Sequence, residues 1–268
     1  MNATALTPPI SPHIPRAALI TGAGRRLGRA IAQALAQVGF AVAIHYRASE
    51  REARSLLTEI EASGGRGCLL QADLGEEEQV RHLVERASAA LGPLGVLVNN
   101  ASTFERDEWD TVSRQSWTDH LEPNLRAPMV LIQNFARTLP KGGQGMVLNM
   151  LDERVWSLTP HFVSYTVSKS ALWTLTQTMA LALAPKQIRV NAIGPGPALP
   201  SPRQTTGQFQ RQCASVPLGH GTSPEEVAYA ALALLALPSV TGQMLALDGG
   251  QHLQWHSSPP DADALMEE

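Results

Sequence analysis

Short apolar runs alternate along the chain with longer segments in which apolar residues recur at helical spacing. The short runs fall at 17–20, 41–46, 67–71, 94–99, 145–150, 187–193 and 243–247, and each is expected to be a strand. The periodic segments fall near 27–38, 49–63, 76–91, 113–138, 160–184 and 224–237. In the first of them Leu27, Ile31, Leu35 and Val38 share one helical face. Strands that alternate with helices pair in parallel through right-handed crossovers. The pattern therefore predicts one α/β domain, a doubly wound seven-stranded parallel sheet flanked by helices. Ligands of such sheets bind outside the carboxyl ends of the strands.

Composition sets the boundaries. Four of the nineteen prolines lie in residues 1–15, which read as a flexible leader. Residues 256–268, rich in Ser, Pro, Asp and Glu, read as a flexible tail. The body is expected to span 16–255. Within it a stretch at about 197–222, rich in Pro, Gln, Ser and Thr, is a candidate substrate loop.

Two local patterns carry chemistry. The first apolar run ends in Thr21-Gly22-Ala23-Gly24-Arg25-Arg26-Leu27-Gly28 and leads into the first periodic segment. Strand, glycine-rich turn and helix form the Rossmann-type dinucleotide site: the glycines allow close backbone approach, and the helix N-terminus attracts a pyrophosphate. In the second pattern, Tyr165 and Lys169 stand four residues apart in a periodic segment, so they share a helix face. A free tyrosine titrates near 10 (roughly), and a neighbouring ammonium is expected to bring it toward working pH as a proton donor.

Thr21-Gly22-x3-Arg26-x-Gly28, Asn99-Asn100-Ala101-Ser102, Asn124, Tyr165-x3-Lys169 and Pro195-Gly196 stand in the order and spacing of the short-chain dehydrogenases/reductases. The resemblance covers about 16–253. Most members carry Gly where this chain has Arg26 and Ser where it has Asp152. Arg26, Asp152, His45-Tyr46-Arg47-Ala48-Ser49 and the run Asn99 to Phe104 resemble the pteridine reductases and the bacterial dihydromonapterin reductases.

That resemblance implies a site. Asp152, Tyr165, Lys169 and Asn124 form the catalytic set, with Asn124 interrupting its helix. Gly22, Arg25, Arg26, Leu27, Gly28, Asp73, Leu74, Asn100, Ala101, Ser102, Pro195 and Gly196 line the dinucleotide, together with Tyr165 and Lys169. Asp73 either contacts adenine or caps the helix that begins near Glu76. At the end of the second strand, Tyr46, Arg47 and Ser49 replace the acidic residue that would hold a ribose 2′-hydroxyl. Arginine suits a 2′-phosphate, so the cofactor is expected to be NADPH, with Arg26 facing the same space. The alternative for Arg47 is a solvated surface charge.

Substrate contacts are expected from Arg26, Ser102, Phe104, Asp152 and Tyr165. A carboxylate only accepts hydrogen bonds, so Asp152 cannot donate to a ketone oxygen as a serine would. It suits a substrate with N–H groups or a ring nitrogen to be protonated, such as a pterin. Phe104 would stack on that flat ring; its alternative fate is ordinary core packing. The expected activity is NADPH-dependent reduction of dihydropterins, and dihydrofolate is a related substrate. A carbonyl or 3-oxoacyl reductase is the alternative, and a non-catalytic NADPH-binding protein a further one.

Other classes lose support. The net charge of −3 has no basic block and gives none for nucleic-acid binding. The two cysteines, Cys68 and Cys213, form no CxxC pair, and no metal site is expected. No apolar run approaches the roughly 20 residues of a membrane span. A cytoplasmic enzyme is expected, and the resemblance implies a homotetramer built on the helices near 113–138 and 160–184 and the last strand.

Overall fold

The computed structural model describes residues 10–201 and 204–254. Seven parallel strands form one sheet in the order β3-β2-β1-β4-β5-β6-β7. They are β1 (Ala17–Ile20), β2 (Ala41–Tyr46), β3 (Gly67–Gln71), β4 (Val96–Asn99), β5 (Gly145–Met150), β6 (Ile188–Pro195) and β7 (Met244–Leu247). The reversal of strand order at β1 and β4 opens the crevice where doubly wound sheets take their ligands.

Alternate residues of each strand serve opposite faces. Ala18, Ile20, Val42, Ile44, Val96 and Val98 pack against Ile31 and Leu35 of α1 (Arg26–Gln37), Leu56 of α2 (Glu50–Ala62) and Val227 and Leu234 of α9 (Pro224–Ala236). Leu19, Ala43, Leu97, Val147 and Val190 pack instead against Leu83 of α4 (Leu83–Leu91), Leu131 and Phe135 of α6 (Ala127–Thr138) and Leu183 of α7 (Val163–Leu183). With both faces covered, the strands are apolar at nearly every position.

Four features depart from the pattern. The segment 76–91 is two helices, α3 (Glu77–Arg81) and α4, broken at His82. The segment 113–138 is α5 (Arg114–Leu121), a π-helical turn at Glu122–Arg126, and α6. The candidate loop 197–222 contains α8 (Thr206–Ser215), which starts at a capping box: Gln208 N–H donates to Thr205 Oγ1 and Thr205 N–H to Gln208 Oε1. Residues 10–15, read as part of the loose leader, pack onto the body. Ile14 is buried in the core, Gln144 N–H donates to His13 O, and Arg16 Nη2 donates to Ile10 O. The rest of the leader (1–9), residue 255 and the tail at 256–268 lie outside the described residues.

Candidate active site

The glycine-rich turn between β1 and α1 is locked to the loop after β4. Thr21 Oγ1 accepts the N–H groups of Asn100 (2.9 Å) and Ala101 (3.0 Å), and Asn100 Nδ2 donates to Thr21 O at 2.8 Å. A Cβ at Gly28 would lie 2.5 Å from Asn100 Nδ2 and 2.6 Å from Gly22 O, so only glycine permits this approach. Arg25 offers α1 no side-chain cap, and the first turn carries no acidic residue. The helix start therefore has the geometry and sign of an anion site, and the turn fits a dinucleotide pyrophosphate.

Arg26 occupies the left-handed region, with φ 54°. A glycine would adopt it freely; a residue with a Cβ pays roughly 1 kcal/mol or more. Its guanidinium donates to Pro200 O (2.8 Å) and Leu199 O (3.2 Å), clasping the segment after β6. The sequence expectation set it beside Arg47; the contacts it makes here are with the segment after β6. Gly196 N–H donates to Leu247 O, and a Cβ there would meet Asp248 Cα at 2.8 Å, which fixes the Pro195-Gly196 turn against the last strand.

Beyond β2, Tyr46 is half-buried, Arg47 is exposed and Ser49 borders Gly24, whose added Cβ would lie 3.1 Å from Ser49 Oγ. Asp73 Oδ1 accepts Gly75 N–H at 2.9 Å, a turn just before α3 rather than a helix cap, and Leu74 beside it is buried. His45 stands in the motif at the end of the second strand, but the sequence assigns it no role. Its buried Nδ1 accepts Gly22 N–H at 3.1 Å, and its Nε2 lies 3.2 Å from Ala72 O. One neutral imidazole thus spans the glycine-rich turn and the residue before Asp73, and burial holds its pKa down at about 4.

The π turn has a local cause and a consequence. Pro123 lacks an N–H, and the widened turn delivers Asn124, wholly buried, into a polar junction. Asn124 Oδ1 accepts Thr103 N–H (2.8 Å) and Ser102 Oγ–H (3.2 Å). Its Nδ2 donates to Thr103 O and Ser168 Oγ, both at 3.0 Å. The loop after β4 is thereby tied to α7.

On α7, Tyr165 Oη donates to Asp152 Oδ2 at 2.9 Å, and Lys169 Nζ donates to Met150 O at 2.8 Å. Nζ stands 5.6 Å from the Tyr165 ring centroid, on the shared face. The expected lowering of the tyrosine is overturned. Burial first, then the Asp152 charge, push the phenol well above its ordinary range, while burial lowers Lys169 to about 8. Asp152 also accepts Arg154 N–H at 3.0 Å, capping the short 3-10 turn Glu153–Val155. Burial, with Asp152 adding to it, raises Glu153 to about 8.

Phe104 stacks on Phe162, ring centroids 4.6 Å apart and planes 7° from parallel, and meets Tyr165 edge to face at 4.7 Å. Phe162 takes a left-handed φ of 56° immediately before α7. The strain is held by Asp107, which accepts both Ser164 N–H and Ser164 Oγ–H. Ser164 Oγ also lies 2.7 Å from His120 Nδ1, deep in the core. Arg154, absent from the sequence expectations, is buried against both phenylalanines, its guanidinium carbon 4.7 Å from the Phe162 centroid and 5.3 Å from that of Phe104. No pattern in the sequence distinguishes it from a surface arginine.

The family model described as enoyl-(acyl carrier protein) reductase matches residues 22–252. FolM alternative dihydrofolate reductase 1 of Brucella canis, solved in complex with NADP, is 45% identical with a TM-score of 0.88. It covers 92% of this chain and 97% of its own. An uncharacterized oxidoreductase of Methylorubrum extorquens is 32% identical over 88% of this chain and 97% of the relative. The 3-oxoacyl-[acyl-carrier-protein] reductase FabG of Staphylococcus aureus is 28% identical over 89% of this chain and 98% of the relative. Matched from its glycine-rich turn to the end of its last strand and beyond, the chain belongs to the short-chain dehydrogenase/reductase family.

Proposed function

We propose that this protein is an NADPH-dependent reductase of pterins, converting a 7,8-dihydropterin to the tetrahydropterin, with dihydrofolate as a further substrate of the same ring type. The observation that carries this reading is the Tyr165–Asp152 hydrogen bond, because it sets a carboxylate where carbonyl reduction calls for a neutral donor. The likeness to the FolM alternative dihydrofolate reductase, a complex with NADP, supports both substrate class and cofactor.

The glycine-rich turn, the start of α1, Tyr46, Arg47, Ser49, Asp73, Leu74, Asn100, Ala101, Ser102 and the Pro195-Gly196 turn would hold NADPH, which supplies a hydride to C6 of the pterin. Tyr165 remains protonated at neutral pH because burial and Asp152 oppose its ionisation. It holds the proton that N5 requires; without substrate that O–H donates to Asp152, and it would turn to N5 when the pterin binds. Lys169 and Asn124 fix the floor of the site through Met150, Thr103 and Ser168. One dihydropterin, one NADPH and one proton give one tetrahydropterin and one NADP+.

A carbonyl or 3-oxoacyl reductase is the second reading, favoured by the FabG relative. NADPH oxidation with 7,8-dihydropterins, dihydrofolate, simple ketones and a 3-oxoacyl thioester separates the two. The pterin reading expects kcat/KM to be highest for a dihydropterin; turnover of ketones or the thioester alone overturns it.

We extend the reading to a cytoplasmic homotetramer. Among the described residues no helix is long and apolar enough to cross a membrane. Val130, Ile132 and Phe135 of α6 are spent on the core. Val167 and Leu181 on α7 and Leu245 on β7 remain exposed and are better candidates for subunit contact. Light scattering at micromolar concentration tests this: a fourfold mass supports it, and a stable monomer overturns it.

A further inference from the structure

We propose that Arg154 is a substrate-binding residue whose guanidinium donates to the ring oxo group of the dihydropterin, beside the imine nitrogen that receives the proton. This rests on the pterin reading above and adds to it a residue that sets specificity.

Four observations carry it. The Arg154 side chain is 11% exposed, and its Nη1 is buried with no hydrogen-bond partner among the described residues. A guanidinium has five fixed donors and cannot shed its proton, so an unmatched buried donor is aimed at something. The group lies against Phe104 and Phe162, the aromatic wall of the candidate substrate site. Its Nε is 4.0 Å from Asp152 Oδ1, while the other oxygen of that carboxylate receives Tyr165 Oη–H.

The arrangement sets a donor beside the proton-delivery point. In a 7,8-dihydropterin the reducible bond is N5=C6, and the 4-oxo oxygen is peri to N5. A ring whose N5 faces Tyr165 and Asp152 can hold that oxygen toward Arg154, whose Nε stands 4.0 Å from Asp152 Oδ1. An anionic substrate group fits less well, because it would approach Asp152 as well as Arg154. A neutral oxo acceptor matches a charged donor without that repulsion, and the flat ring gains from the neighbouring phenylalanine.

The test compares two ligands that differ at this atom, a 2-amino-4-oxopteridine and a 2,4-diaminopteridine, titrated into the NADP+-loaded protein. A 4-amino group is a donor and cannot accept from Arg154. Arg154→Met should weaken the 4-oxo ligand about 10- to 100-fold, the range for a hydrogen bond to a charged group. The 2,4-diamino ligand should be unchanged or tightened, so the affinity ratio shifts by at least tenfold. Arg154→Lys, which keeps the charge and loses the planar fork, should fall between; it carries the comparison if Arg154→Met does not fold, as judged by NADP+ affinity. Equal loss for both ligands, or no change in either, would leave Arg154 a structural support of Asp152 and overturn the proposal while the pterin reading stands. Failure of the wild-type protein to bind either pteridine would overturn the pterin reading itself and this proposal with it.

Discussion

Tyr165 donates its phenolic hydrogen to Asp152 at 2.9 Å, within a site closed to solvent on the tyrosine side. The carboxylate and the low-dielectric surroundings act in the same direction, and both favour the neutral phenol. A tyrosine held in this state stays protonated across the neutral range.

Removal of that donor should stop turnover without loosening the cofactor. Tyr165→Phe keeps the ring packed against Phe104 and deletes only the hydroxyl. We expect kcat to fall by about 10²- to 10⁴-fold, the usual contribution of a positioned acid. The Kd for NADPH, measured by fluorescence titration, should stay within a factor of about two to three. A variant that retained wild-type kcat would mean that another group protonates the substrate.

Arg47 should set the choice between NADPH and NADH. It is exposed at the end of β2, and no acidic residue lies between 41 and 49 to compete for it. Arg47→Asp replaces attraction of a 2′-phosphate by repulsion. The ratio of kcat/KM for NADPH over NADH should fall by about 10- to 100-fold, with the NADH value little changed. If the ratio does not move, the 2′-phosphate is read by a different side chain.

How much of this was legible beforehand depends on the range of the interaction. The seven strands follow from apolar runs buried on both faces, and their bounds agree with the structure to within a few residues. Asn124 enters through the family resemblance, and the structure sets it, buried, in a π turn beside Pro123. Arg26 was placed by motif as well, yet its guanidinium reaches carbonyls more than 170 residues away, which spacing cannot encode. The same holds for Arg154: its burial against Phe104 and Phe162 is created by tertiary packing alone. The Tyr165 titration was misjudged because helical spacing reports the proximity of Lys169. It is silent on desolvation, which here dominates.

His45 should make folding stability sensitive to mild acid. Its folded pKa, about 4, lies below the ordinary value of 6.5 because the ring is buried neutral between Gly22 N–H and Ala72 O. The unfolded chain therefore binds more protons than the folded chain between those two values, and stability rises with pH. The contribution is fully present above pH 6.5 and is lost as pH falls toward 4. The loss amounts to about 3 kcal/mol by the usual conversion. Urea unfolding at pH 7.5 and pH 5 should give a steeper loss for the wild type than for His45→Gln. Parallel losses would show that the imidazole does not differ between folded and unfolded states.

Asp152→Ser tests the substrate class most directly, because it changes two things with opposite consequences. Loss of the carboxylate removes the acceptor that orients Tyr165 Oη–H, so kcat/KM for a 7,8-dihydropterin should fall by about tenfold or more. The new hydroxyl can donate to an oxygen that becomes an alkoxide, so reduction of simple ketones should rise from the wild-type level. Loss of the Asp152 charge also withdraws one of the causes that raise Tyr165, burial remaining as the other. Rates at neutral pH on both substrates supply the two readouts. A variant that reduced pterins as well as the wild type would show that the carboxylate takes no part in proton delivery.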